Sequence, residues 1–218
     1  MTRVFEALLD LLYPRGCVCT LCGREAITHG EVCDACAPAV RPCTEIAPPQ
    51  GTVGFRAGLC YTPPVRGALH RFKYGRQIYL ADFFAAHMTI PEDWRIDAIL
   101  PVPLHPKRLR RRGFNQSELL CGRLGMRYAI PVRTDILCRV RQTPTQTALG
   151  VEERKQNVQG AFAAKGCEGL HLLLIDDVCT TGSTLSACAE ALTKAGAASV
   201  YAMTAIRRER RADRIDME

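Results

Sequence analysis

The residues best suited to chemistry lie in one run, Leu172-Leu173-Leu174-Ile175-Asp176-Asp177-Val178-Cys179-Thr180-Thr181-Gly182-Ser183-Thr184, followed by a helical pattern from Leu185. It reads as a strand, an acidic pair, a hydroxyl-rich turn and a helix. A helix start exposes unpaired N–H groups and a partial positive charge, and a glycine there lets a ligand approach the backbone without meeting a Cβ. Thr180, Thr181, Ser183 and Thr184 add hydroxyl donors, while Asp176 and Asp177 at the carboxyl end of the strand suit two sugar hydroxyls. A sugar phosphate satisfies both halves. The alternative is ordinary helix capping with the Asp pair solvated at a strand end, which explains one hydroxyl residue well and four around a glycine poorly.

A second cluster follows another apolar run, in Asp97-Ala98-Ile99-Leu100-Pro101-Val102-Pro103-Leu104-His105-Pro106-Lys107-Arg108 and on to Arg112. Cations just past a buried strand sit where open α/β proteins bind ligands. Arg presents paired donors to phosphate oxygens and Lys a point charge, so Lys107, Arg108 and Arg112 are candidates for neutralising a pyrophosphate. The alternative is a solvated surface turn, since most charge runs are that.

The third cluster is Cys19-x-x-Cys22 and Cys33-x-x-Cys36. Four thiolates in two close pairs suit a tetrahedral zinc ion, and a closed four-sulfur site makes such a metal structural rather than catalytic. Reduced thiols without metal are the other reading, and Cys17 is a substitute ligand. The remaining cysteines fall singly in apolar patterns, which fits a reducing, cytoplasmic compartment better than a secreted disulfide scaffold.

The elements needed to hold these clusters can be read from periodicity. Residues 53–61, 98–102, 170–175 and 199–206 read as strands; 64–73, 78–88, 117–124 and 183–195 read as helices. The alternation implies an α/β fold with a parallel sheet flanked by helices. Residues 133–162 are polar and weakly periodic, which suggests a functional flap. The Pro- and Gly-bearing stretch 47–51 marks a boundary, giving an N-terminal helix and cysteine module over 1–46 and a larger domain over 47–218. The apolar pattern of residues 4–12 is broken by Glu6 and Asp10, so it predicts an amphipathic helix, not a signal peptide or membrane insertion. The net charge of +7 favours acidic or phosphorylated partners, and Arg207, Arg208, Arg210, Arg211 and Arg214 crowd the C-terminus.

Position by position, the run 172–184 resembles the binding loop of the type I phosphoribosyltransferases. The stretch Arg111-Arg112-Gly113-Phe114-Asn115-Gln116-Ser117-Glu118-Leu119, the segment from Gln146 to Phe162 and the N-terminal cysteines resemble the competence protein F (ComF, GntX-like) group. The resemblance implies a type I phosphoribosyltransferase fold with a small N-terminal zinc module. It also implies a cytoplasmic transferase that binds phosphoribosyl pyrophosphate with Mg²⁺ and passes ribose 5-phosphate to a nitrogen acceptor, in competence or DNA utilisation. Asp176 and Asp177 would hold the ribose 2- and 3-hydroxyls, and Thr180, Thr181, Gly182, Ser183 and Thr184 the 5-phosphate. Residues 139–157 take the place of the family's mobile flap, with Gln146, Arg154 and Asn157 as contacts. The alternative is a non-catalytic nucleotide sensor associated with single-stranded DNA, or with a helicase or uptake partner. Phe114 is the one aromatic residue inside the main basic run, which gives little for bases to stack on.

Overall fold

In the computed structural model, which describes residues 18–24, 30–43, 47–141, 158 and 160–208, the apolar runs become the centre of a five-stranded sheet. Its strands are β1 (Pro42–Cys43), β2 (Gly54–Cys60), β3 (Ala98–Pro101), β6 (His171–Cys179) and β7 (Ser199–Arg207), in the order β1-β2-β7-β6-β3. The last four are mutually parallel, and short β1 adds an antiparallel edge to β2. The central run Leu172 to Ile175 is fully buried because both sheet faces are covered.

One face is covered by α1 (Pro63–Tyr74), α2 (Leu80–Ala86) and α4 (Gln116–Tyr128). Prolines at the first positions of α1 start the helix where no N–H partner is needed. Val65, Ala68, Leu69 and Phe72, at helical spacing, turn its inner face into the core. Burial of Phe72 alone contributes about 2–3 kcal/mol. The other face is covered by α5 (Ser183–Lys194), through Leu185, Cys188, Ala189 and Leu192, and by a ribbon of β4 (Leu137–Arg139) and β5 (Phe162–Ala164).

The alternative reading of the cation run, a solvated surface turn, does not describe its backbone. Residues Pro106–Arg112 form a short helix, α3, started by Pro106 at its first position and by His105, whose Nδ1 accepts from the Lys107 N–H at 3.2 Å. It is stopped by Gly113, left-handed at φ +85°. Strand β6 also runs past its expected end at residue 175, through both acids to Cys179, because β7 pairs with it as far as Arg207.

Of the polar stretch 133–162, the two ends pair as the antiparallel ribbon, with Leu137 opposite Ala164 and Arg139 opposite Phe162. Its middle, with Gln146, Arg154 and Asn157, lies outside the described residues. The same holds for the N-terminal helical pattern, Cys17 and Arg210, Arg211 and Arg214. Among the described residues no helix is long and apolar enough to cross a membrane.

Candidate functional site

Strands β2, β7 and β6 end level with one another at Cys60, Arg207 and Cys179, while β3 stops earlier, so the loop after β3 leaves the sheet beside the acid-bearing stretch of β6. Pro101 is registered with Ile175, and the Val102 N–H donates to the Ile175 carbonyl at 2.9 Å. That pairing brings the loop after β3 to the residue that precedes the acidic pair. After Cys179 the chain turns through Thr180 and Thr181 to Gly182, whose φ of +81° makes it the left-handed entry to α5. A Cβ on Gly182 would lie 3.3 Å from Pro49, so the stretch around 47–51, expected as a linker, packs against this turn through buried Pro49. The Thr181 and Ser183 hydroxyls sit 2.8 Å apart. The Ser183 N–H donates to Thr181 Oγ1 at 3.4 Å, and the first turn of α5 suits an anion.

The two acids differ. Asp177 is 7% exposed and pairs with Lys73 Nζ at 2.9 Å. Asp176 Oδ1 accepts from Ser117 Oγ at 3.1 Å and from the Asp177 N–H at 2.9 Å. Burial, and after it the Asp177 charge, pushes Asp176 up from 3.8 to about 7, although Lys73 pulls the other way. Once Asp176 ionises, above about pH 7, the two carboxylates outnumber the Lys73 ammonium and hold negative charge suited to hydroxyl donors and to a growing positive charge.

The stretch 112–117 is what ties this edge together. Asn115 caps α4 by accepting from the Ser117 N–H, and its Nδ2 donates to the Val102 carbonyl at 3.1 Å. Gln116 Nε2 donates to the Phe72 carbonyl at 3.4 Å, while Gln116 Oε1 accepts from Arg112 at 2.8 Å. One segment therefore fixes α1, α3, the loop after β3 and the acid Asp176.

Of the expected cations, Lys107 is exposed on α3, and Arg108 is held below its ordinary value by burial and by Arg112 and Arg111. Arg112 donates to Gln116 and to the Tyr74 hydroxyl at 3.3 Å, with its guanidinium carbon 5.0 Å from the Tyr74 ring centre. Desolvation and the charges of Arg139, Lys107, Arg108 and Arg110 keep His105 below its ordinary value, consistent with its role as acceptor. Arg139 on β4 stands over the Phe162 ring at 5.1 Å and feels the charges of Arg108 and Asp176. The ribbon thus carries a cation within electrostatic reach of Arg108 and Asp176.

Lys73 is the site residue that sequence reasoning misses. It ends an amphipathic helix, where a cation also serves the helix dipole, and nothing local points to an acid more than a hundred residues away. Arg207 was read as part of a terminal charge run, but it is 8% exposed and donates to Cys179 Sγ at 2.9 Å behind the turn. Burial keeps the Cys179 thiol above its ordinary value despite that guanidinium.

The expected cysteine ligands come together. The sulfurs of Cys19, Cys22, Cys33 and Cys36 all lie within 4.8 Å of one another, and those of Cys22 and Cys33 are 3.8 Å apart. A tetrahedral ion with Zn–S bonds of about 2.3 Å sets sulfurs about 3.8 Å apart, so the donor set fits a metal ion. Burial opposes ionisation of Cys19, but the Cys33 and Cys22 backbones and the neighbouring sulfurs bring it down to about 6. Cys36 is pushed up to about 12 by burial and by the other sulfurs.

Residues 129–218 match the family model of the phosphoribosyl transferase domain. The chain is 33% identical to the DNA utilization protein YhgH of Salmonella typhi over 84% of its own length and 93% of that protein's. It is 34% identical to competence protein F of Haemophilus influenzae, over 62% of this chain and 65% of that one. Among solved structures, the glutamine phosphoribosylpyrophosphate amidotransferase from B. subtilis aligns with 59% of this chain and 25% of its own, at 19% identity and a TM-score of 0.39. The fold is that of the type I phosphoribosyltransferases, with a four-cysteine cluster at its N-terminal side. The protein belongs to the ComF-like family of competence and DNA-utilisation proteins.

Proposed function

We propose that the protein is a cytoplasmic phosphoribosyltransferase that binds phosphoribosyl pyrophosphate and moves ribose 5-phosphate to a nitrogen acceptor in the handling of DNA. One observation carries the reading: a surplus carboxylate pair ends β6 within a few residues of a glycine-led helix start, and the cationic α3 lies across the same edge. The hydroxyls and N–H groups of residues 180–184 hold the 5-phosphate. Asp176 and Asp177 accept from the ribose 2- and 3-hydroxyls, while Lys107, Arg108 and Arg112 face the pyrophosphate.

In the transfer, the bond from C1 to the pyrophosphate oxygen breaks with its electron pair leaving on oxygen, a nitrogen lone pair forms the new bond, and the acceptor nitrogen then releases its proton to solvent. Positive charge grows on C1 and the ring oxygen meanwhile, and the acidic pair stabilises it electrostatically. Mg²⁺ bound to the pyrophosphate supplies neutralisation of the leaving charge. Arg139, carried by the β4–β5 ribbon, adds a positive charge within electrostatic reach of Asp176. In the cysteine module, Cys19, Cys22, Cys33 and Cys36 hold a structural zinc ion.

The test is a thermal-shift titration with phosphoribosyl pyrophosphate and Mg²⁺, followed by pyrophosphate release across a panel of nucleobases and amines. A concentration-dependent stabilisation lost in the Asp176→Asn, Asp177→Asn double variant supports the site; an unchanged shift in that variant refutes the assigned ribose contacts.

A second reading gains from the fold. The basic run holds only Phe114, which packs inward on Phe72 at 6.2 Å, but Tyr74 from α1 lies against Arg112, is 51% exposed and neighbours His70 at 4.9 Å. An exposed ring among cations is what a single strand stacks on. Salt-sensitive oligonucleotide binding lost in Tyr74→Ala would support that role; binding equal in the variant would remove it.

A further inference from the structure

Among the described residues, α1 touches both the cysteine module and the ligand site. Cys19, Leu21 and Cys36 are buried in the same hydrophobic cluster as Leu69, Phe72 and Phe84, so the module shares its core with the sheet. Polar bonds fasten α1 to it at both ends. Thr62, which precedes α1, donates its hydroxyl to the Ala39 carbonyl at 3.2 Å, just past Cys36. In the last turn, Arg71 Nη2 donates to the Thr20 carbonyl at 2.7 Å and the Leu21 carbonyl at 2.9 Å. Those two carbonyls belong to the link between the metal-ligating residues Cys19 and Cys22. Arg71 Nε is steadied by Gln77 Oε1 at 2.9 Å.

Two residues further along the same turn is Lys73, which holds Asp177. Residues two apart on a helix point about 200° away from each other, so a single turn grips the module on one side and the acidic pair on the other. Phe72 between them is fully buried and its carbonyl accepts from Gln116. The turn cannot shift without all three attachments shifting. A four-thiolate module with little core of its own is folded with its metal and loosened without it, which supplies the two-state element that coupling requires.

We propose that Arg71 is a positioning residue through which the metal-loaded cysteine module sets Lys73 against Asp177, so that occupancy of the sugar site depends on a metal whose ligands never touch the sugar. The ligand part rests on the reading of the site given above; the positional part does not.

The experiment uses the full chain. Hydrogen exchange is followed on the zinc-loaded wild type and after chelation, and phosphoribosyl pyrophosphate with Mg²⁺ is titrated into Arg71→Ala, Arg71→Lys, Lys73→Met and the Arg71→Ala, Lys73→Met pair. Chelation is expected to remove protection from residues 69–75 and 176–184 while leaving β7 protected. Arg71→Ala is expected to keep one zinc per chain yet show the same loss of protection and bind about tenfold more weakly, with partial rescue in Arg71→Lys. In the pair, Arg71→Ala is expected to add nothing to Lys73→Met, because the first acts through the second.

Additive losses, or a chelated chain with 69–75 still protected, would overturn the proposal. Collapse of β7 along with α1 on chelation would also overturn it, since the module would then be plain stabilisation. If the wild type shows the exchange coupling but no response to phosphoribosyl pyrophosphate, the positional claim stands and the ligand reading fails. Should Arg71→Ala not fold, the chelation experiment on the wild type decides alone.

Discussion

Asp176→Asn should stabilise the unliganded protein, although it deletes a group proposed to bind substrate. Folding carries the Asp176 carboxyl from 3.8 to about 7. This interval spans about three pH units, each equivalent to about 1.36 kcal/mol, so the charged form is disfavoured by at most about 4 kcal/mol above pH 7. A group whose folded value is raised adds most stability below its unfolded value, and loses that contribution as pH climbs through the folded one. For Asp176 the loss therefore runs from about pH 4 to about pH 7. Part of the rise comes from the Asp177 charge, which the neutral amide also relieves, and Lys73 already offsets some of it. An amide oxygen can still accept from Ser117 and from the Asp177 N–H, the two bonds that position the carboxylate.

Allowing for that compensation and for relaxation around a site at the protein edge, the expected gain is about 1–2 kcal/mol at pH 8, a rise of about 3–6 °C in Tm for a chain of this size. At pH 5 the wild-type group is already protonated in the folded state, so the gain should fall to less than half. Thermal melts of both proteins at the two pH values, without ligand, provide the assay. A variant less stable than wild type at pH 8, or a gain equal at the two pH values, would show that burial and the neighbouring acid do not strain Asp176.

The other expectations concern the same edge. Lys73→Met should destabilise by about 2 kcal/mol, since removing one partner strands a largely buried carboxylate, and should move the titration of Asp176 above its wild-type position; both are read from melts across pH. Gly182→Ala forces a left-handed Cβ against Pro49 and should lower stability by about 1–2 kcal/mol, with a larger loss of ligand response than of Tm. Ligand affinity should rise with pH through about 7 as Asp176 ionises, and this slope should be missing in Asp176→Asn; a slope equal in both proteins would assign it to the ligand. Metal analysis should find about one zinc per chain, and under about half an equivalent after clean purification would remove the zinc site.

The parts legible in the sequence were those with strong local signals. Leu172 to Ile175 could only be a strand buried on two faces, and Gly182 among hydroxyls could only be a turn of special backbone shape. Paired cysteines announced their own proximity. What stayed hidden depends on distant chain segments. Charge along 107–112 left a solvated turn open as the alternative, whereas Pro106, His105 and Gly113 together close a short helix. The length of β6 is set by its neighbour β7, not by its own polar end. Lys73 carries an ordinary helix-end cation's signature, and only the crossover of α1 onto the sheet brings it to Asp177. Tyr74 reaches Arg112 by the same crossover, so an aromatic missing from the basic run is supplied from outside it.

The central claim is that residues 176–184 form a cradle for a phosphorylated pentose. Isothermal titration of the zinc-loaded chain with phosphoribosyl pyrophosphate and Mg²⁺, beside a Gly182→Val variant, tests it most directly. The account predicts one site per chain in the wild type and none in the variant, with both proteins folded. Equal heats in the two proteins, or no heat from the wild type at ligand concentrations up to the millimolar range, would contradict it.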